Sequence, residues 1–282
     1  MAQLFDGRAT AAAVLQEVTE RANTLLSRLG RAPCLAVVQV GVDAASAWYV
    51  RQIERTGHRV GIAVALHSLA GDCAADAPAR LVAQLCANPT VDGIIVQQPL
   101  PPQAPLQSVL AALDPRKDAD GLHPYNAGLL AQGRTMGFAP ATPLGGIELL
   151  QRSGLPIASQ HAVIVGRSAV VGRPLALLLL AQHATVTICH TRTQNLAAIT
   201  RQADILAVAA GRPGLITASM VRPGAIVLDF GVNDVDGQMT GDVAPDVADV
   251  AGWLTPVPGG TGPMTNAMLM RNLVLAAERQ LG

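Results

Sequence analysis

Short apolar runs of strand length recur along this chain, and stretches with helical periodicity separate them. Cys34–Val40 (CLAVVQV) is one such run, closed by Gly41, and Gly93–Val96, inside DGIIVQQPLPP, is another. Runs that do not alternate with polar residues mark strands covered on both faces, as in parallel sheets. Residues 10–29 predict a long amphipathic helix, and 45–60 predict a second, capped by Asp43. A turn-rich stretch follows at 114–121 (DPRKDADG). A second set begins near Ser159, with strands at 162–165, Thr185–Cys189, 205–209 and 225–229 and helices at 172–182 and 195–202. Such alternation implies parallel sheet joined by right-handed crossovers. The fold class expected is α/β, with a first domain over 1–140 and a Rossmann-type dinucleotide-binding domain over 141–265. A last helix, 264–281, follows a glycine-rich loop, and residues 266–282 are expected to return to the first domain.

Composition excludes several classes of function. The chain has 282 residues, half of them hydrophobic and 14% charged, which is ample for buried cores and unlike a disordered chain. Formal net charge is zero with no basic or acidic run, so no nucleic acid and no anionic membrane surface is expected as partner. The longest apolar run, around 175–180, is far too short to span a bilayer. Cys34, Cys73, Cys86 and Cys189 form no CxxC pair and no metal-ligand spacing. Reduced thiols in a cytoplasmic protein, and no metal, are the expectation. The N-terminal stretch lacks the basic-then-apolar layout of a signal peptide. Lys117 is the only lysine. Arginine carries the other positive charges, and arginine stays protonated and makes a poor base.

VIVGRSAVVG (163–172) reads as a strand entering a tight turn and then a helix, with Gly166, Ser168 and Gly172 in the turn. Glycine lets the backbone approach a pyrophosphate, and a helix N-terminus stabilises its charge. The spacing departs from G-x-G-x-x-G, and a tight turn with no ligand has the same pattern. The next strand ends in Cys189, His190, Thr191 and Arg192, where an NAD site places an acid for the ribose. With Arg167 in the first turn, two arginines and a hydroxyl suit a 2′-phosphate, hence NADP. A merely solvated Arg192 is the alternative. His190 is read as structural rather than catalytic.

Five further strings stand in a fixed order: DGIIVQQPLP (92–101), DPRKDADGLHPYNAG (114–128), PATPLGG (140–146), VGRSAVVGRP (165–174) and TPVPGGTGPMT (255–265). With FDGR at 5–8, they resemble the bifunctional methylenetetrahydrofolate dehydrogenase/methenyltetrahydrofolate cyclohydrolase family along nearly the whole chain. The resemblance implies two α/β domains flanking a cleft, tetrahydrofolate derivatives as substrates, NADP as cofactor, and a homodimer formed through the cofactor domain. It implies that Tyr49 covers the pterin and that Gln97 stands near the catalytic lysine. Asp120 would anchor the pterin's amino-nitrogen edge, and Pro258, Gly259 and Gly260 would close on the folate. Thr142 and Pro143 would form a turn beside the cofactor cleft, with Ala141 in place of a family cysteine. On the cofactor side it implies Gly166, Arg167, Ser168, Gly172, Arg173, His190, Thr191, Arg192 and Val232. Without the resemblance, Tyr49 is an ordinary core aromatic, Asp120 a turn acid, Gln97 a backbone partner, and the glycines of PGGTGP parts of a tight loop.

One position departs from the family. Its tyrosine is followed four residues later by the proton-handling lysine, and here that position is Ile53. Residues four apart share a helix face. Isoleucine carries no titratable atom. Hydride removal from a methylene carbon needs no base, only geometry. Adding water to the methenyl carbon and opening the ring needs general acid–base help, typically worth about 10²–10⁴-fold. The dehydrogenase step is therefore expected to persist and the cyclohydrolase step to be weak or lost. Arg51 and Arg55 are poor bases placed round the helix, and Lys117 lies in another segment, leaving Tyr49 or Gln97 with water as the remaining route. Two other readings stand: a homologue or partner subunit that binds without turnover, and a Rossmann dehydrogenase for another substrate, to which Ile53, Gln98 and Ala141 would belong.

Overall fold

The computed structural model describes residues 1–41, 44–134 and 136–281. In chain order the strands are β1 (Gln3–Leu4), β2 (Cys34–Val40), β3 (Ala63–Leu69), β4 (Gly93–Val96), β5 (His161–Val165), β6 (Thr185–Cys189), β7 (Ile205–Val208), β8 (Ile226–Asp229), β9 (Asn233–Val235), β10 (Gln238–Thr240) and β11 (Trp253–Leu254). The helices are α1 (Gly7–Leu29), α2 (Ala44–Arg59), α3 (Ala77–Ala87), α4 (Leu106–Ala111), α5 (Pro124–Ala131), α6 (Ala141–Arg152), α7 (Gly172–Ala181), α8 (Leu196–Thr200) and α9 (Thr261–Gln280). Among the described residues, no helix is long and apolar enough to cross a membrane. The chain divides into two units, Ala13–Ala139 with Asn266–Gly282, and Met1–Ala12 with Pro140–Thr265.

The first unit carries a parallel sheet in the order β3-β2-β4. Ala36 and Val38 of β2 and Ile94 and Val96 of β4 pack against Val82 and Leu85 of α3 and Val109 and Leu110 of α4. Gly93 lies so close to Leu273 of α9 that a Cβ would meet its Cδ1 at 2.6 Å. Arg21 of α1 grips Glu278 of α9 through two hydrogen bonds of 2.9 and 2.6 Å. The stretch at 114–121 runs beside β4: Ile94 N donates to Lys117 O at 2.7 Å, and Ile94 bridges Asp118 in parallel. Edge strand β3 lies outside the expected strands. Its exposed positions Ala63, Leu66 and Ser68 break the continuous buried run that marks β2.

The second unit carries a six-stranded parallel sheet in the order β1-β11-β8-β7-β5-β6. Chain order reverses direction at β5: β6 lies on one side of it, and β7 and β8 on the other. Open α/β sheets bind ligands at the carboxyl ends of the strands beside such a switch point. Val163, Val165, Leu206, Val208 and Val227 form the centre of its core. An antiparallel hairpin, β9–β10, follows β8.

Three boundaries differ from the sequence expectation. Residues Met1–Ala12 join the second unit, because β1 pairs with β11 through Gln3 and Trp253 and the Phe5 ring stands 5.0 Å from that of Trp253. Helix α1 starts at Gly7 rather than at residue 10, because Asp6 Oδ1 accepts the N–H of Ala9 at 2.8 Å and caps it. Thr142 and Pro143 do not form a turn but lie in the first turn of α6, where proline costs no hydrogen bond. The cap expected at Asp43 lies outside the described residues.

Candidate functional sites

In the first unit, α2 buries a stripe made of Ser46, Val50, Ile53 and Gly57, which Val60 continues just past its end. This i, i+3/i+4 spacing is why the segment folds as a helix against the sheet. Ile53 is 0% exposed, so the position four after Tyr49 holds a packed aliphatic side chain. Arg51 and Arg55 are exposed on the opposite face. Tyr49 is half-buried, and its hydroxyl is held protonated well above the usual phenol range, first by burial and then by the charge of Asp120. Tyr49 therefore lies within electrostatic reach of Asp120.

Asp120 is positioned by its neighbours. Lys117 donates Nζ to Cys86 O at 2.9 Å and Asn88 O at 2.8 Å, at the end of α3. Asp118 accepts the N–H of Leu122 and His123 and the Nδ2 of Asn126, at 3.2, 2.8 and 2.8 Å. Asn272 of α9 donates to Ala119 O at 2.9 Å. With both flanks tied down, Asp120 retains little freedom. The residue is half-buried, and desolvation of its carboxyl, with Asp118 nearby, pushes its pKa up to about 7. The chain's one lysine is spent on helix carbonyls, and burial lowers its pKa. Gln97 follows β4 directly: its N–H donates to Val38 O at 2.8 Å, and its side-chain amide donates to Gln98 O at 2.9 Å.

In the second unit the turn after β5 is built by close approach. A Cβ on Gly166, whose φ is +136°, would overlap Ala209 O, and one on Gly172 would overlap Gly166 O. Only glycine allows the first turn to sit against the end of β7 and α7 to start so near it. Ser168 Oγ accepts the N–H of Val171 and Gly172 at 3.1 and 3.3 Å, and its carbonyl accepts Arg173 N at 3.1 Å. Beyond β6, Thr193 Oγ1 accepts His190 N at 2.8 Å, and the His190 ring accepts Arg192 N at 3.1 Å. His190 thus shapes the turn that carries Thr191 and Arg192. Arg167, Arg173, Thr191, Arg192 and Val232 are exposed, and no acid follows β6. Pro258, Gly259 and Gly260 bridge β11 and α9, with Gly260 N donating to Pro256 O at 2.8 Å. Thr142 Oγ1 lies 3.2 Å from Thr265 Oγ1. A pair of buried carboxylates, Asp229 and Asp242, was not legible in the sequence. Only Gly231, two residues after Asp229, and Gly241, directly before Asp242, hinted at tight turns there.

Residues 140–281 match the NAD(P)-binding domain of the tetrahydrofolate dehydrogenase/cyclohydrolase family, and residues 5–120 match its catalytic domain. The chain belongs to the tetrahydrofolate dehydrogenase/cyclohydrolase family. Bifunctional protein FolD of Chloroflexus aurantiacus is 53% identical over 283 residues, covering 100% of this chain and 99% of that protein. The crystal structure of bifunctional enzyme FolD from Campylobacter jejuni superposes with a TM-score of 0.97 at 39% identity, over 99% of this chain and 100% of that one. The enzyme from Trypanosoma brucei, complexed with NADP cofactor and inhibitor, gives 0.93 at 36% identity, over 99% and 98%. In family terms, the first unit holds most of the catalytic domain and the second most of the NAD(P)-binding domain.

Proposed function

We propose that this family member is an NADP-dependent methylenetetrahydrofolate dehydrogenase whose cyclohydrolase step is weak or lost. The observation that carries the reading is Ile53, fully buried at the position where the family places its proton-handling lysine. NADP, when bound, supplies the hydride acceptor. The turn at Gly166, Ser168 and Gly172 and the start of α7 hold the pyrophosphate, while Arg167, Thr191 and Arg192 receive the 2′-phosphate. Arg173, His190 and Val232 complete the cofactor's surroundings. On the folate side, Tyr49 covers the pterin, Asp120 accepts from its amino-nitrogen edge, Gln97 orients the reacting end, and Pro258, Gly259 and Gly260 close on it.

These residues bind and orient two rings, which is what hydride removal demands. They offer no amine to take a proton from water. Tyr49 is a poor base in its surroundings, since its hydroxyl holds its proton, and Lys117 is committed to Cys86 and Asn88. The proposal includes a homodimer through the cofactor domain, for which the open edge of β6, with Ile188 and Leu180 exposed, is suitable.

Incubation with methylenetetrahydrofolate and NADP tests the reading. NADPH and the methenyl chromophore should rise together, and the chromophore should persist. Binding of both ligands with no NADPH formed would instead support a non-catalytic homologue, which the loss of the lysine also allows.

A further inference from the structure

Asp229 and Asp242 are 2% and 0% exposed, and neither faces a basic side chain in the hydrogen bonds they make. Asp242 Oδ2 accepts the N–H of Ala210 and Gly211 at 2.6 and 2.8 Å. Its Oδ1 accepts the N–H of Arg212 at 2.8 Å and Nδ2 of Asn233 at 2.9 Å. One carboxylate therefore gathers three successive amides after β7 and the side chain that opens β9. Asp229 stands behind it, accepting Gly231 N and Asp242 N through Oδ1 and Val243 N through Oδ2, at 2.8, 3.1 and 3.0 Å. The Asp229 backbone is held in turn by Thr255 and Thr261, on either side of the Pro258–Gly260 loop, at 2.7 and 2.8 Å.

The location gives these bonds a consequence. Ala210 follows the carbonyl of Ala209, against which Gly166 is pressed. The amides that Asp242 binds form the β7 wall of the switch point, opposite the glycine turn. Gly231, directly before Val232, packs against Asp242 so closely that a Cβ would meet its Cγ at 2.5 Å. A carboxylate accepting several backbone N–H groups makes charge-assisted bonds, roughly twice as strong as neutral ones. An asparagine cannot replace it, because its NH2 would face donors on either side.

We propose that Asp242 is a positioning residue of the dinucleotide site: it ties the loop after β7 to the loop after β8 and so sets the crevice that faces the Gly166 turn. The proposal rests on the NADP reading above, and it adds a residue that touches no cofactor atom.

The test is titration calorimetry of the full chain with NADP and, separately, with tetrahydrofolate, alongside amide hydrogen exchange over residues 209–213. In Asp242→Asn, leaving buried donors unpaired should weaken NADP binding about tenfold or more, change tetrahydrofolate binding less than about twofold, and speed exchange in that segment. Asn233→Ala removes one of the four donors to Asp242, together with a 3.2 Å bond to Thr240 O, and it decides the matter if the first variant does not fold. It should weaken NADP binding by about two- to fivefold. NADP affinity unchanged in a folded variant overturns the proposal, as does an equal loss for both ligands that follows a fall in melting temperature. Wild-type protein that fails to bind NADP removes the functional reading as well, whereas normal wild-type binding with an unaffected variant removes only the role of Asp242.

Discussion

The carboxylate of Asp120 acts on the phenol of Tyr49. Burial comes first and this negative charge second in keeping the tyrosine hydroxyl protonated. Ile53, on the same helix as Tyr49, adds no positive charge to offset it. The pair is therefore suited to hold a ring and accept N–H groups, and unsuited to draw a proton from water.

The proposed role of Asp120 implies a pH dependence for the folate reaction. Its pKa is pushed up to about 7, so near neutrality a large fraction is protonated and cannot accept from the pterin edge with both oxygens. The kcat/KM for methylenetetrahydrofolate should rise with pH through about 7 and level off above it. Asp120→Asn should flatten that profile and lower kcat/KM about tenfold to a hundredfold. A flat wild-type profile between pH 6 and 8, roughly one unit either side, would remove Asp120 from this role.

The same shift affects stability with a definite sign. A carboxyl whose folded pKa is raised favours the protonated folded state, so its contribution is full below the ordinary carboxylate range and is lost as pH rises through about 7. Asp229, pushed up to about 6 mainly by burial, works in the same direction. Melting temperature should therefore fall from pH 5 to pH 8 by less in Asp120→Asn than in the wild type, as scanning calorimetry at about these pH values can read.

Ile53→Lys should restore part of the missing chemistry. General acid–base groups contribute about 10²–10⁴-fold, so a gain of about tenfold in methenyltetrahydrofolate hydrolysis is a modest expectation. The buried site will lower the melting temperature, because an ammonium group is costly to desolvate. No gain in a variant shown by circular dichroism to be folded counts against the account.

Cofactor choice rests on Arg167 and Arg192 and on the absence of an acid after β6. Arg192→Ala should raise the KM for NADP about tenfold while leaving that for NAD within about twofold. Faster turnover of the wild type with NAD than with NADP at equal concentration would reverse the assignment.

Asp92 tests the scaffold apart from the chemistry. It accepts two bonds from Arg31, at 2.7 and 2.9 Å, and one from Cys34 N at 2.7 Å, at the start of β2. Asp92→Ala should lower the unfolding free energy in urea by about 2–3 kcal/mol and leave NADP affinity unchanged.

Continuous apolar runs made β2 and β4 legible to the residue, since nearly every position in them is buried. Strand β3 leaves less, because none of its residues is buried and His67 and Ser68 interrupt its apolar run. Helix α6 was hidden by Pro143, Gly145 and Gly146, each a helix-breaker by propensity. Gly145 and Gly146 are accepted because Met264 and Phe230 crowd them, leaving no room for a Cβ. Local structure was legible where a backbone position admits only one residue type, as at Gly166 and Gly172. Asp242 could not be read: three of its four donors are backbone amides at 210–212, and a backbone leaves no signature in sequence. The N-terminal pairing of β1 with β11 was equally invisible, since two residues carry no periodicity.

The most direct measurement supplies methenyltetrahydrofolate alone, without cofactor, and follows its loss against the spontaneous rate in the same buffer. A chain with buried isoleucine at position 53 should leave that rate essentially unaltered while still reducing NADP when given the methylene form. Rapid enzymatic loss of the methenyl form, comparable with lysine-bearing relatives assayed side by side, would contradict it.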